Sequence, residues 1–320
     1  MEQNVMAWVP DLSAPPQIRL AEVELPRLAP GHVLIRVQAF SVNRGETFLL
    51  ENPPADWRPG KDVAGEVIAV GSDVSELHPG QRVVAHAEQA GWAEAVAVEA
   101  DRVALLPNGI SAAQAAAIPL AGLTALRLTR ASGPLAARRI LMTGASGGVG
   151  HAFVQFAAAH GARVTVVCRS RERGARLLEF GAEAVVGSVE DAGGPFDIAL
   201  ESTGGAVLAA ALERLTPDGR LVWFGQASRH RPVLDFFNWA GGRSATLRKF
   251  HYLDDETPLS TDLQALVRIV AGKRLQIEVG SVEDWAQTPR IIAALLGRQI
   301  RGKAVLTIDP ARVPKTKTAA

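Results

Sequence analysis

The segment RRILMTGASGGVG, residues 138–150, decides the fold of this chain of 320 residues. Its apolar first half predicts a β-strand. The apolar residues after Gly148 recur at helical spacing as far as His160, and Gly161 predicts the end of that helix. A glycine-rich turn between a strand and a helix is the setting in which dinucleotides bind, because backbone N–H groups at the helix start attract phosphate. The segment therefore predicts a dinucleotide-binding unit.

Two glycines of this turn have separate roles in that prediction. Gly147 lets the backbone approach a pyrophosphate, and Gly150 lets the helix pack closely on the strand. With Gly150 as the last glycine, the pattern is A-x-G-x-x-G, because Ala145 stands where a glycine is usual. A turn without a ligand is the alternative, and the strand–turn–helix context favours the ligand site.

The alternation of strand and helix patterns continues after the turn. It is typical of a parallel, doubly wound sheet with helices on both faces. The predicted elements are a strand RVTVVCR, a helix RERGARLLEFG, the strands EAVVG and FDIALEST, a helix AVLAAALERL, a strand GRLVWFG and a sixth strand ATLRKF.

Basic and hydroxyl side chains follow the second of these strands, in the run from Cys168 to Arg173. An NAD site has an acid there to bind the ribose hydroxyls, whereas a 2′-phosphate is suited by arginine. Arg169, Ser170 and Arg173 therefore predict NADPH as the cofactor. The alternative, solvated residues at the start of a helix, is favoured for Arg171.

Both ends of the chain predict a second unit. Short strand patterns separated by Gly and Pro fill the first hundred residues, as in a small β-barrel or sandwich. A helix-prone segment follows from Ser111 to Leu128, and two helical patterns and a strand, GKAVLTI, follow residue 257.

Composition excludes several classes of protein. Hydrophobic residues make up 48% and charged residues 21%, which is typical of a globular protein, and the net charge of +1 provides no strong field toward nucleic acid. The sequence contains neither a secretory signal pattern nor an apolar run long enough to span a bilayer, so we expect a cytoplasmic protein without membrane or nucleic-acid partners. Cys168 is the single cysteine, which excludes an intrachain disulfide and a multi-cysteine metal site.

Motifs along nearly the whole chain resemble the medium-chain dehydrogenase/reductase superfamily, in its zinc-independent, NADPH:quinone oxidoreductase branch. They occur in the order of that family. The matching segments are Ser41–Asn43, Pro59–Val67, Pro79–Val83, Ile118–Ala125, Gly144–Gly150, Phe224–Gly225 and Gly302–Leu306.

The resemblance implies an α/β fold of two domains with the active site in the cleft between them. A GroES-like catalytic β-barrel would comprise residues 1–119 and 257–320, and an inserted Rossmann domain, residues 120–256, would bind NADPH. It also implies a homodimer, formed through the edge strand ATLRKF.

The resemblance further implies an enzyme without zinc. The family's zinc ligands are a Cys, a His and either a second Cys or an acid, and the matching positions here are Asn43, Lys61 and Leu120. Leucine cannot ligate a metal and lysine would first have to lose its proton. The cysteine-rich lobe that holds the family's structural zinc is also absent.

The resemblance assigns the cofactor contacts to residues spread over both predicted domains. They are Arg44, Thr124, Ser146, Gly147, Gly148, Val149, Ser202, Thr203, Phe224, Gly225, Phe250 and Lys303, besides Arg169, Ser170 and Arg173.

Catalysis without a metal needs a hydrogen-bond donor or a cation to stabilise the negative charge that develops on the acceptor. Asn43 supplies an amide donor and Lys61 a cation, and Glu46 is expected to orient Asn43. Alternatively, Asn43 makes a turn hydrogen bond and Lys61 is a surface residue.

Acceptors whose reduced form is already stabilised fit such a site. We therefore expect NADPH-dependent reduction of a small electrophile, either a quinone or an activated alkene. An enoyl or alkenal reductase of secondary metabolism and a non-catalytic NADPH-binding protein remain as alternatives, and a zinc alcohol dehydrogenase is disfavoured.

Overall fold

The computed structural model describes residues 4–13, 15–235, 237 and 243–309. Contacts divide the chain into two compact units. The outer unit comprises Met1–Leu123 and Thr257–Ala320, and the inserted unit comprises Thr124–Glu256.

The first segment of the outer unit is mainly β-structure. Its strands are β1 Asn4–Pro10, β2 Ile18–Glu24, β3 His32–Val42, β4 Asp62–Val70, β5 Arg82–His86, β6 Ala95–Glu99 and β7 Val103–Leu105. Its helices are α1 Arg44–Leu49, α2 Ala112–Ala116 and the beginning of α3 Pro119–Ala131, which contains the boundary to the inserted unit. A short 3₁₀ turn, Ala100–Arg102, precedes β7.

The inserted unit alternates strands and helices. Its elements are β8 Arg139–Thr143, α4 Gly148–Ala159, β9 Arg163–Val167, α5 Arg171–Glu179, β10 Ala184–Val186, β11 Phe196–Glu201, α6 Ala206–Glu213, β12 Leu215–Trp223 and β13 Thr246–Lys249. A 3₁₀ turn, Tyr252–Asp254, follows them.

The strands of the inserted unit form one parallel sheet in the order β10-β9-β8-β11-β12-β13. The order reverses between β8 and β11, which is the point where doubly wound sheets bind ligands. The predicted doubly wound sheet and the sixth strand are thereby confirmed. Apolar side chains from the sheet and from α6, among them Leu141, Phe196 and Leu212, form the core.

The second segment returns to the outer unit. It contains α7 Leu259–Ala271, β14 Val279–Asp284, α8 Thr288–Leu296 and β15 Lys303–Thr307, with a 3₁₀ turn at Trp285–Gln287. Strand β15 pairs antiparallel with β3, so the sheet runs β14-β15-β3-β4-β5-β7, with β6 also on β3. Strands β1 and β2 form a separate two-stranded sheet. Phe40 and Trp92 stack in the core of this unit, with ring centroids 5.7 Å apart.

The structure differs in detail from the local sequence patterns in three places. The helix-prone segment Ser111–Leu128 is interrupted, because Pro119 has no N–H to donate and disfavours helical geometry at Ile118. The first hundred residues also contain the helix α1, which follows Asn43. In addition, the sequence did not predict β14, because its two valines, Val279 and Val282, are three positions apart and give no apolar alternation, although its residues alternate between half-buried and exposed.

Candidate active site

Strand register brings polar side chains into one row of the outer unit. Asp62 on β4 lies opposite Ser41 on β3 and opposite His86 on β5. Ser41 in turn lies opposite Val305 on β15, and the period of two along a strand puts Lys303 on the same face as Val305. These polar side chains are buried, and Asp62 has no exposed surface.

Asp62 is the centre of this buried cluster. Its Oδ2 accepts hydrogen bonds from Ser41 Oγ at 2.8 Å, from Asn43 Nδ2 at 2.8 Å and from Lys303 Nζ at 3.0 Å. Its Oδ1 accepts from the backbone N–H of Leu120 at 2.8 Å. The carboxylate therefore joins β3, β15 and the first turn of α3.

The charge state of the cluster follows from these contacts. Burial alone would raise the pKa of Asp62, but the Lys303 ammonium, His86 and the Asn43 amide together hold it well below its usual range. His86 Nδ1 lies 3.4 Å from Asp62 Oδ1, and burial lowers the pKa of His86 against the attraction of Asp62. Asp62 and Lys303 thus form a buried ion pair beside a neutral imidazole.

Asn43, which is predicted to be catalytic, is part of this cluster. The residue is 9% exposed, and its Oδ1 accepts a hydrogen bond from Lys303 Nζ while its Nδ2 donates to Asp62. Both ends of the amide are therefore held by charged groups. The cluster is named the Asp62 cluster below and comprises Ser41, Asn43, Asp62, His86 and Lys303.

Glu46 lies next to the Asp62 cluster and accepts three backbone hydrogen bonds. Its Oε2 accepts from the N–H of Asn43 at 2.8 Å, and its Oε1 accepts from the N–H groups of Gly60 and Lys61 at 2.9 and 2.8 Å. Burial and the nearby Asp62 raise the pKa of Glu46 to about 7, against the effect of these donors. Glu46 therefore fixes the backbone at Asn43 and the loop that leads into β4.

The two predicted lysines occupy different environments. Lys61 is half-buried and donates to Glu46 through its backbone. Lys303, which is predicted to bind the cofactor, is 4% exposed and is the lysine whose ammonium contacts Asn43. A buried lysine on β15 is not distinguishable by sequence from one at the surface.

In the inserted unit, the backbone of the glycine turn between β8 and α4 requires glycine at Gly144 and Gly150. Gly144 adopts a φ of 62°, and a Cβ on Gly150 would lie 2.1 Å from the carbonyl oxygen of Ala145. Gly147 is the N-cap of α4, and a Cβ on it would meet only the Gly144 carbonyl oxygen, at 3.7 Å. The start of α4 thus combines open space with N–H groups that have no partner within the helix.

A second loop, Glu201–Gly204, is attached to the end of β8. Glu201 Oε1 accepts from Thr143 Oγ1 at 3.0 Å and from the N–H groups of Thr203 and Gly204 at 2.6 and 3.0 Å. Ser202 donates its N–H to Thr143 Oγ1 at 3.0 Å. Burial raises the pKa of Glu201 despite these donors. Glu201 and Thr143 therefore hold the 201–204 loop beside Gly144, the first glycine of the turn.

The residues of the basic run after β9 lie in different environments. Ser170 is the N-cap of α5, since its Oγ accepts from the N–H of Arg173 at 3.3 Å, and Arg169 is exposed. Arg173 is half-buried, and its Nη2 donates to Ser146 Oγ at 3.5 Å. Arg173 thus reaches the glycine turn.

The remaining predicted cofactor residues lie in both units. Thr124 is buried, and Phe224 and Phe250 are half-buried at the ends of β12 and β13. The backbone of Gly225 lies against Ser202, since a Cβ on it would be 3.1 Å from the Ser202 carbonyl oxygen. Arg44 belongs to the outer unit, where its Nη2 donates to the Leu295 carbonyl oxygen at the end of α8 at 2.8 Å.

The residues in the Asp62 cluster do not suit a catalytic zinc ion. An ammonium contacts both Asn43 and Asp62, so a cation already occupies the space between them. Within the described residues, no three or more His, Cys, Asp or Glu side chains are grouped as metal ligands would be.

None of the helices in the described part of the chain has the length and apolar character that a membrane crossing requires.

Two family models match the chain. The model described as alcohol dehydrogenase GroES-like domain matches residues 29–119, and the model described as zinc-binding dehydrogenase matches residues 148–271. The first match falls in the outer unit, and the second covers most of the inserted unit.

Similar proteins are found among curated sequences and solved structures. Quinone-oxidoreductase QR1, chloroplastic, from Triphysaria versicolor is 33% identical over 236 residues, which cover 68% of this chain and 70% of that protein. The spectinabilin polyketide synthase system protein NorB from Streptomyces orinoci is 32% identical over 327 residues, which cover 98% of this chain but 14% of that protein. A mycobacterial protein complexed with NADPH is 25% identical, has a TM-score of 0.86 and is matched over 96% of this chain and 100% of its own.

Proposed function

This chain belongs to the quinone oxidoreductase branch of the medium-chain dehydrogenase/reductase superfamily, a family of oxidoreductases, and we propose that it reduces quinones or activated alkenes with NADPH and without zinc. The observation that carries this proposal is the Asp62 cluster, in which the Lys303 ammonium contacts both the Asn43 amide and the Asp62 carboxylate.

The inserted unit fits a nicotinamide dinucleotide. Gly147 and the first N–H groups of α4 would hold the pyrophosphate, and the 201–204 loop would support the nicotinamide half. When bound, NADPH supplies a hydride.

Arg173 is the residue best placed to bind a 2′-phosphate. It combines a positive charge with contact to Ser146, whereas Arg169 is exposed and Ser170 is engaged as a helix cap. Arginine binds phosphate through paired, charge-assisted hydrogen bonds. The preference for NADPH over NADH is therefore assigned chiefly to Arg173.

The outer unit would supply the hydrogen-bond donor that polarises the hydride acceptor. Asn43 has an amide N–H that can donate to a carbonyl oxygen as negative charge develops on it. Alcohol oxidation would instead require a group that stabilises an alkoxide, which the Asn43 amide does poorly. The chemistry of the cluster therefore favours acceptors whose reduced form delocalises charge.

One steady-state experiment tests this function. The wild-type protein is assayed for NADPH oxidation with a panel of quinones and enones, and Arg173→Ala is compared with Arg171→Ala, a matched arginine on the same helix. We expect turnover with at least one class, and a loss of about 10- to 100-fold in NADPH affinity for Arg173→Ala, with NADH affinity little changed. Saturable NADPH binding without turnover of any electrophile would contradict the proposal and support a non-catalytic role.

Enoyl reduction in secondary metabolism is the second candidate. The observation that favours it is the similarity to NorB, a polyketide synthase system protein, across 98% of this chain. This chain spans only 14% of NorB, so the activity of that whole protein does not transfer directly. Turnover of enoyl thioesters well above quinones in the same assay would favour this candidate.

The exposed edge of the inserted sheet is the proposed dimer contact. All four residues of β13 are exposed, and β13 is the last strand of the sheet. An unpaired strand edge can pair with another chain. Light scattering on the purified protein measures the mass, and a monomer at micromolar concentration would contradict the dimer.

A further inference from the structure

The Asn43 amide has one orientation that satisfies both of its charged neighbours. Oδ1 accepts from the Lys303 ammonium, and Nδ2 donates to Asp62 Oδ2 at 2.8 Å. If the amide were turned over, its NH₂ group would face the ammonium and its oxygen would face the carboxylate. Both contacts would then be repulsive, because lysine only donates and an ionised carboxylate only accepts. Lys303 and Asp62 therefore determine which way the amide points.

The same contacts determine the direction of the second Nδ2 hydrogen. The hydrogen bond to Asp62 uses one of the two hydrogens on Nδ2, and the amide is planar. Within the described part of the chain, none of the hydrogen bonds of Asn43 uses the other hydrogen. The Asp62 cluster thus holds a donor in a fixed direction on a residue that is 9% exposed.

Lys303 is less suited than Asn43 to contact an acceptor itself. Its side chain is 4% exposed, and its ammonium donates to both Asn43 and Asp62. The Asp62 carboxylate has three donors on Oδ2, so its charge is directed into the cluster. Both charged groups thus act on Asn43 and leave the contact with the acceptor to the amide.

Building on the proposed function, we propose that Lys303 and Asp62 are positioning residues, which hold the Asn43 amide so that its second N–H donates to the carbonyl oxygen of the hydride acceptor. Asn43 is then the catalytic residue. When hydride adds to the β carbon of an enone, the C=C electron pair shifts toward the carbonyl and the oxygen gains negative charge. The Asn43 N–H stabilises that oxygen, and water supplies the proton to the α carbon.

A double-mutant cycle separates positioning from direct contact. Asn43→Ala, Lys303→Met and the double variant are assayed with the best enone or quinone substrate. Asn43→Ala is expected to lower kcat about 100-fold, as removal of an oxyanion donor does. Lys303→Met is expected to lower kcat about 10-fold, since the amide then loses its fixed orientation, with KM and NADPH affinity unchanged. The double variant should equal Asn43→Ala, because Lys303 acts through Asn43.

Two results would overturn the proposal. Independent, multiplicative losses in the double variant would show that Lys303 acts on the reaction directly. A Lys303→Met variant with weaker NADPH binding and an unchanged kcat would make Lys303 a cofactor contact, as the sequence predicts.

A second variant keeps the test valid if Lys303→Met does not fold, and a second measurement keeps it valid if the enzyme is inactive. If Lys303→Met does not fold, Asp62→Asn/Lys303→Met removes both charges together and should show the same loss of kcat. Hydrogen exchange of the Asn43 side-chain amide, measured by NMR, should accelerate in either variant whether or not the enzyme turns over. If the wild type is inactive with every acceptor, the proposed function fails, while unchanged amide exchange in these variants would overturn the positioning role separately.

Discussion

Two buried carboxylates, one in each unit, show what a charged neighbour changes. Asp62 and Glu201 both have no exposed surface, and each accepts several hydrogen bonds. The donors to Asp62 include the Lys303 ammonium, whereas those described for Glu201 are a threonine hydroxyl and backbone N–H groups. The pKa of Asp62 is lowered and that of Glu201 is raised, although burial acts in the same direction on both.

The difference has a consequence for stability. In the outer unit a carboxylate and an ammonium depend on each other, so the loss of either leaves a buried charge without compensation. In the inserted unit, neutral donors hold the Glu201 carboxylate. Replacing that carboxylate by a neutral group would therefore cost little free energy of unfolding. We therefore expect matched substitutions at the two positions to differ in effect.

The largest effect is expected for Asp62→Asn. The substitution leaves the Lys303 ammonium without its partner, and it places an amide NH₂ against Ser41, Asn43 and Lys303 or against the Leu120 N–H. The free energy of unfolding should fall by about 3–5 kcal/mol, as measured by urea denaturation. Asp62→Asn/Lys303→Met should recover part of that loss. A loss below about 1 kcal/mol for the single variant would contradict the ion pair.

A smaller effect is expected for Glu201→Gln, the matched change in the inserted unit. Glutamine keeps the Oε1 acceptor for Thr143 and the 201–204 loop, and only the contact between Oε2 and the Gly204 N–H becomes unfavourable. The loss of unfolding free energy should be about 1 kcal/mol, measured by the same urea titration. A loss equal to that of Asp62→Asn would show that the charge of the carboxylate, and not the neutral donors, stabilises the loop.

The contrast also explains which parts of the molecule the sequence could predict. The inserted unit consists of consecutive strand and helix patterns, and its glycine turn joins neighbouring elements, so local periodicity was sufficient for the predicted sheet. The Asp62 cluster joins residues far apart in sequence, and the hydrogen bond between Lys303 and Asn43 spans 260 positions. Such a contact depends on strand register, which the separate strand patterns do not determine.

Asp62 and His86 were missed as site residues for the same reason. The Ser41-x-Asn43 spacing puts two polar side chains on one face of a strand, which could have signalled a buried polar row. Nothing in the sequence shows that β4, β5 and β15 extend that row. Lys61 was selected because a motif places it at a ligand position, whereas the lysine that contacts Asn43 is Lys303. The assignment of the two units as catalytic and NADPH-binding domains stays a prediction.

A pH-dependent effect is expected at Glu46, where burial and hydrogen bonding oppose each other. The raised pKa means that the folded protein holds a proton on Glu46 between pH 4.5 and about 7, while the unfolded chain has lost it. The free energy of unfolding should then decrease as pH rises through this window, by at most about 1.4 kcal/mol per pH unit. Below pH 4.5 and above pH 7 this group should contribute no slope. Asp62 has the opposite sign, since its pKa is lowered and its contribution is lost as pH falls below 3.8.

Glu46→Gln separates this slope from those of other groups. Glutamine cannot titrate, so the variant should lose the decrease between pH 4.5 and 7 in urea denaturation measured across pH. It should also be less stable at every pH, because its NH₂ group would face the N–H of Asn43 or those of Gly60 and Lys61, so that donors oppose each other without an acceptor. An identical slope in both proteins would mean that the three backbone donors keep Glu46 ionised throughout. Glu46 would then resemble Asp62 more than Glu201, and backbone N–H groups alone would be sufficient to hold a buried charge.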